Sequence, residues 1–220
     1  MGWSTSLHRG GAGAFHARPL PDPAERALWW FEVERPALVL GSTQRFDVVD
    51  AAAASAAGVE VVRRHSGGGA VLVEPAGTIW LDVVLPAGDP LWEVDVGRAF
   101  HWLGRAWVAA LADAGLAAEV HLGPLVRSEW SRLVCFAGLG PGEVTVGGRK
   151  VVGIAQRRTR SAARFQCAAV SRWEPAEIAG LLALHPEDRR RLTADLADAV
   201  LPLSVDLAEL RSSLASHLPS

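Results

Sequence analysis

Two short segments carry side chains suited to holding an anionic acyl compound. The first is Arg63-Arg64-His65-Ser66-Gly67-Gly68-Gly69-Ala70-Val71. Successive glycines let a turn bring its N–H groups against carboxylate or phosphate oxygens. Arg63 and Arg64 add guanidinium forks for the same oxygens. A flexible hairpin with solvated arginines fits this segment as well. The second segment is Gly147-Gly148-Arg149-Lys150-Val151-Val152-Gly153-Ile154-Ala155-Gln156, and Lys150 is the only lysine in the chain. Arginine replaces an exposed lysine at little cost, but not where a compact ammonium on a flexible stem is needed. Function and chance retention are the two readings of that single lysine. Placed at the start of an apolar strand, it would neutralise a carboxylate and then the charge that develops in acyl transfer. Gly153 marks a close approach by a ligand or another backbone.

These segments need elements to position them. Val59–Arg63 and Ala70–Val73 are expected strands flanking the glycine run, followed by a strand over Thr78–Leu85. Gly147-Gly148 is a hairpin turn, joining strands at Glu143–Val146 and Lys150–Ala155. Further strands are expected at Ala37–Leu40, Leu133–Phe136 and Phe165–Val170. Asp22 and Pro23 read as the cap and first residue of a helix over Ala24–Val33. Asp47–Ala57 is a second helix, stopped by Gly58. The spacing of Val96, Ala99, Phe100, Leu103, Trp107, Ala110 and Leu111 predicts a long amphipathic helix ended by Gly115. Three helical pieces follow, near 176–184, 187–199 and 205–217. Residues 1–21 lack periodicity and are expected to form a loose arm, with 22–220 a single catalytic domain. The fold class is α+β, a mixed sheet packed with helices and a helical C-terminal part.

Bulk properties narrow the function. A formal net charge of −2 gives no electrostatic footprint for nucleic acid. No apolar run reaches the length of a membrane span, and the N-terminus lacks the apolar stretch of a secretory signal. The two cysteines, Cys135 and Cys167, are too few for a disulfide scaffold and do not pair into a zinc site. A cytoplasmic enzyme without a metal site of its own is the expectation.

Together the two motifs resemble the lipoate–protein ligase family, whose catalytic domain is shared with biotin–protein ligases. There an Arg-Arg-x-Ser-Gly-Gly-Gly-Ala-Val segment precedes a Gly-(Lys/Arg)-Lys-(Ile/Val)-x-Gly-x-Ala strand, and both stand here in that order. The resemblance implies that Lys150 contacts the carboxylate and phosphate of an acyl-adenylate. Arg63, Arg64, Ser66, Gly67, Gly68, Gly69 and Ala70 would line the ligand, with Gly153 and Ala155 beside Lys150. Lipoate or octanoate would be activated with ATP and Mg²⁺. The acyl group would then pass to a lysine of a lipoyl carrier domain, as in 2-oxoacid dehydrogenase or glycine cleavage proteins.

The chain departs from the family in three places. Leu72-Val73-Glu74 replaces an aromatic followed by His-Asp, Gly77-Thr78 replaces Gly-Asn, and Gln166-Cys167-Ala168 stands where a His-Gly pair is common. Residues after about 175 are too few for the accessory domain of larger ligases, which could be a separate chain. A non-catalytic module binding lipoate, biotin or an adenylate is one alternative. Another comes from Val134-Cys135-Phe136 ahead of the lysine hairpin, which resembles the cysteine-dependent octanoyltransferases. In those enzymes the cysteine carries octanoate as a thioester, without ATP. Burial as a small apolar residue is the competing fate for Cys135, and the one assigned to Cys167.

Overall fold

A computed structural model describes residues 2–220. Its frame is a seven-stranded sheet in the order β1-β2-β6-β10-β9-β8-β7, faced by a three-stranded sheet in the order β4-β3-β5. The large sheet comprises β1 (Ser4–Gly10), β2 (Ala27–Val33), β6 (Thr78–Pro86), β7 (Ala118–Val120), β8 (Val144–Val146), β9 (Arg149–Arg158) and β10 (Ala162–Val170). The small one comprises β3 (Ala37–Leu40), β4 (Glu60–Arg63) and β5 (Val71–Val73). The described residues also form six α-helices: α1 (Ala12–Ala17), α2 (Ala51–Ala56), α3 (His101–Asp113), α4 (Pro175–Gly180), α5 (Pro186–Leu196) and α6 (Leu207–His217). Parallel and antiparallel pairs coexist, as in the mixed α+β architecture expected.

The central strands are buried on both faces. Along β6, Ile79, Leu81, Val83 and Leu85 join a core with Trp107 and Leu111 of α3 and Leu210 and Leu214 of α6. Trp80 and Val84 point the other way, into a second core with Val39, Val71, Val73 and Phe136. The functional cavities lie on this second side. The β8–β9 hairpin turns at Gly147-Gly148 with φ of 56° and 78°, values that glycine reaches without a Cβ penalty.

Three expectations change. The segment expected as a helix over Ala24–Val33 contains β2, paired with β6 from Ala27↔Val84 to Phe31↔Trp80. Its Leu28 and Trp30 enter one core while Trp29 and Phe31 enter the other. Such a strand reads as one apolar run, without the polar alternation that marks a half-exposed strand. The expected loose arm, 1–21, instead supplies β1, in parallel register with β2 from Ser4↔Ala27 to Gly10↔Val33, and the short helix α1. Ala12, Phe15 and His16 of α1 are buried. Burial of these few side chains orders the segment without any long periodicity. Lastly, the expected strand Leu133–Phe136 makes only an isolated bridge, Ala70↔Val134, before a 3₁₀ turn at Cys135–Ala137.

Candidate active site

The glycine run lies between β4 and β5, and Arg64 organises it. This side chain is 5% exposed. It donates to the carbonyls of Val39 (3.2 Å), Gly67 (2.7 Å) and Gly69 (2.8 Å), so the guanidinium shapes the turn from inside. Burial pulls Arg64 below its ordinary pKa range, and electrostatic attraction to Cys135 with a side-chain hydrogen bond to it offsets part of that. Arg63 goes elsewhere. It is exposed, and its guanidinium stands 4.4 Å from the ring centroid of Phe46. Successive strand residues face opposite ways, so only one of the two arginines reaches the interior.

Ser66 is buried and donates its hydroxyl to Gln166 Oε1 at 2.8 Å. Gln166 Nε2 lies 3.0 Å from His16 Nδ1. A buried relay therefore runs from the glycine loop through β10 to α1. Burial and the nearby cations Arg64 and Arg164 pull the His16 pKa down to about 3, leaving the ring neutral at ordinary pH. Asp82 pairs with Arg164, whose guanidinium also donates to the carbonyls of Phe15 (2.7 Å) and Arg18 (3.0 Å) and so clamps α1 to the sheet.

Ala70 and Gly69 position the cysteine. The amide of Cys135 donates to the Ala70 carbonyl at 2.9 Å, and Ala70 N–H donates to Leu133 O at 2.8 Å. Gln44 steadies the same stretch through its side-chain amide, which donates to the carbonyls of Arg132 (3.1 Å) and Leu133 (3.0 Å). The Cys135 residue is half-buried. Cys167, by contrast, is fully buried, and burial pushes its thiol well above the ordinary range, which leaves it a core residue.

Lys150 opens β9 almost completely enclosed. Its ammonium is 2.7 Å from Glu143 Oε2 and donates to the carbonyls of Gly138 (3.0 Å) and Cys135 (3.2 Å). Glu143 is buried too, and its carboxylate accepts from Gly140 N (2.6 Å) and Ile154 N (3.0 Å). One ion pair thus ties β9, the 138–140 loop and the cysteine turn together. A Cβ at Gly153 would stand 3.2 Å from Lys150 Cε, so the close neighbour there is a side chain and not the ligand or backbone expected.

Two cavities meet at Cys135. An open cleft of about 620 Å³ is lined by Gly67–Gly69, Gln44, Cys135, Glu143, Lys150 and Ala155, with Arg127 and Arg132 along it. Behind it lies a narrow cavity of about 50 Å³ with largely apolar walls, among them Val39, Val71, Val73, Trp80, Phe136 and Ala168. Cys135 and Ala155 line both. The structure therefore gathers Gly67, Gly68, Gly69, Cys135, Lys150 and Ala155 on the cleft, with Gly153 and Arg64 on the apolar cavity. Ser66 and Ala70 support them from behind, and Arg63 is absent from both linings. Glu143, His16 and Gln44 were not signalled by the motifs, and Gln166 stood there only as a departure from the family's His-Gly pair. A carboxylate a few residues ahead of the lysine hairpin is the one mark by which Glu143 could have been found.

Among families of known proteins, the one described as the lipoyl protein ligase A/B catalytic domain matches residues 16–213. The octanoyltransferase LipM of Moorella thermoacetica is 34% identical over 125 residues, which are 56% of this chain and 45% of that relative. The match thus spans less than half of the curated relative's length. Among solved structures, a bi-partite lipoate protein ligase from Thermoplasma acidophilum, described with its E2 lipoyl domain, superposes with a TM-score of 0.75 at 17% identity. The alignment covers 99% of this chain and 82% of the other. A lipoate–protein ligase A bound with ATP gives 0.69 at 18%, over 99% and 84%. At such identities these likenesses establish the fold.

Proposed function

Since the chain belongs to the lipoyl protein ligase A/B catalytic domain family, we propose that it moves an octanoyl-type acyl group through a thioester on Cys135 to a lysine of a lipoyl carrier domain. The carrying observation is the position of Cys135, the nucleophilic side chain that lines both the open cleft and the apolar cavity. The thiolate attacks the carbonyl of an acyl thioester donor, the donor's C–S bond breaks, and the donor thiolate leaves. The carrier lysine, as a free amine, then attacks the Cys135 thioester. An amide forms, the Cys135 thiolate is released, and the amine proton passes to solvent. Arg64 offers the thiolate a fixed cation. The apolar cavity takes the chain; eight carbons fit it only with rearrangement of the lining side chains.

The ATP-dependent ligase, which the motifs implied first, becomes the second reading. The size of the cleft and its cations Arg127, Arg132 and Lys150 favour it. Two observations weigh against it. Lys150 is already neutralised by Glu143, so an adenylate phosphate would meet a carboxylate at the same ammonium. Among the described residues Glu143 is also the sole acidic one lining the cleft, and its oxygens are engaged by Lys150 and two amides, a poor donor set for Mg²⁺. Intact mass separates the readings. Octanoyl-acyl carrier protein without ATP is expected to add one octanoyl group to the enzyme, removed by Cys135→Ser and discharged by a lipoyl domain. Lipoylation of the domain only with ATP and lipoate, unaffected by Cys135→Ser, would establish the ligase and overturn the thioester route.

A further inference from the structure

The ion pair beneath the cysteine turn has a consequence for the chemistry of the thiol. Lys150 has three ammonium protons and three protein acceptors, Glu143 Oε2, Cys135 O and Gly138 O. It is therefore fixed beside Cys135 as a cation, with its side chain and that of Glu143 buried in the wall of the open cleft. Alone, such a cation would strongly stabilise the thiolate. Over-stabilisation has a cost in thioester exchange, because a thiolate's nucleophilicity falls as its basicity falls. Glu143 pairs with the same ammonium at 2.7 Å and contributes the opposite charge.

We propose that Glu143 is a positioning residue, which holds the Lys150 ammonium on the carbonyl of the cysteine turn while cancelling most of its field at the Cys135 thiol. Lys150 then acts on Cys135 through geometry more than through charge. Among the described residues, the other charged or titratable groups on the two cavities that Cys135 lines are Arg64 from the glycine turn, Arg127 and Arg132 along the cleft, and His16 of α1 with the buried thiol of Cys167 on the apolar cavity. Among the described residues no other carboxylate lines either cavity, so the balance falls to Glu143. The inference rests on the thioester reading for its purpose, but not for its test.

The test is the pH dependence of alkylation of folded enzyme by iodoacetamide, read by peptide mass; Cys167 is fully buried and serves as the unmodified internal reference. Glu143→Gln is expected to lower the Cys135 alkylation midpoint by about one unit, and Lys150→Met to raise it. The double variant Glu143→Met with Lys150→Met replaces a buried ion pair by apolar groups of similar size, a change that folds tolerate. Its midpoint is expected to lie clearly below that of Lys150→Met and near that of the parent. An unchanged midpoint in folded Glu143→Gln would overturn the inference, whatever its melting temperature. If Glu143→Gln does not fold, coincidence of the double variant with Lys150→Met would overturn it instead. Failure of the parent enzyme to accept an octanoyl group sinks the thioester reading and leaves these midpoints standing as a separate result.

Discussion

A β-carbon placed on Gly69 would stand 2.7 Å from the amide nitrogen of Cys135 and 2.6 Å from the carbonyl carbon of Val134. Both contacts are with backbone, which cannot swing aside as a flexible side chain can. The third glycine of the motif is therefore small so that the cysteine turn can lie against it. Gly69→Ala is expected to cost about 2–3 kcal/mol, the scale of overpacking in a tight site, and to cut acyl-enzyme formation by displacing Cys135. Gly67→Ala has nothing within 4 Å and is expected to cost under about 1 kcal/mol. Urea unfolding of both variants checks the contrast; equal losses would sink it.

What the sequence made legible follows from locality. Gly67, Gly68, Gly69, Lys150, Gly153 and Ala155 sit in two contiguous motifs, and each motif closes on itself through a tight turn, so residue type and spacing were enough to bring them to the two adjoining cavities. Arg63 and Arg64 show the limit of the same reading. Adjacent in sequence, they separate because a strand alternates its faces, and only the pairing of β4 with β3 decides which one enters. His16 was beyond local pattern, and Gln166 stood out only as a departure from the family's His-Gly pair. Those two meet because α1 and β10 are brought together by topology, across the 150 residues between them. Glu143 shares the lysine hairpin, and only the fold shows that its carboxylate turns inward to the ammonium. The mistaken helix at Ala24–Val33 has a related cause, since burial on both faces erased the period that would have revealed β2.

Arg164 should show how firmly the N-terminal segment is held. Its guanidinium joins Asp82 of β6 to the carbonyls of Phe15 and Arg18 at the end of α1. Arg164→Met leaves the Asp82 carboxylate buried without its cation, a change expected to cost about 3–5 kcal/mol. Asp82→Asn with Arg164→Met removes both charges and should recover part of that. In hydrogen exchange, amides of residues 11–18 should lose protection before those of β6 and β10. Uniform loss across the sheet would show that the arginine does not specifically anchor α1.

His16 gives a pH dependence with a definite sign. Its pKa is lowered from 6.5 to about 3 in the folded protein, so below 6.5 the unfolded chain binds a proton that the folded chain refuses. Stability from this group is fully present above the unfolded value and drains away as pH falls from 6.5 toward 3. The slope approaches about 1.4 kcal/mol per pH unit inside that window. His16→Gln, which keeps an amide oxygen to accept from Gln166, is expected to flatten this part of the curve. Urea midpoints between pH 4 and 7.5 measure it, and parallel curves for the two proteins would refute the assignment.

Ala168 offers the sharpest control on chain selection. It lines the apolar cavity from β10, opposite Val39 and Val73 of the small sheet, while Cys135 stands at the junction with the cleft. A chain that enters past Cys135 gains about 0.8 kcal/mol, roughly fourfold, for each methylene it buries. Ala168→Phe would project a ring into a space of about 50 Å³ that has no room for both ring and chain. Overpacking should cost the fold about 1–3 kcal/mol. Transfer of octanoyl to Cys135 should fall by more than tenfold, whereas acetyl or butyryl transfer, which buries little or nothing there, should fall far less. Acyl-enzyme mass measured across a series of thioester donors gives the ratio directly. If the variant loses octanoyl and acetyl transfer in equal proportion, the cavity behind Cys135 is not where the chain goes.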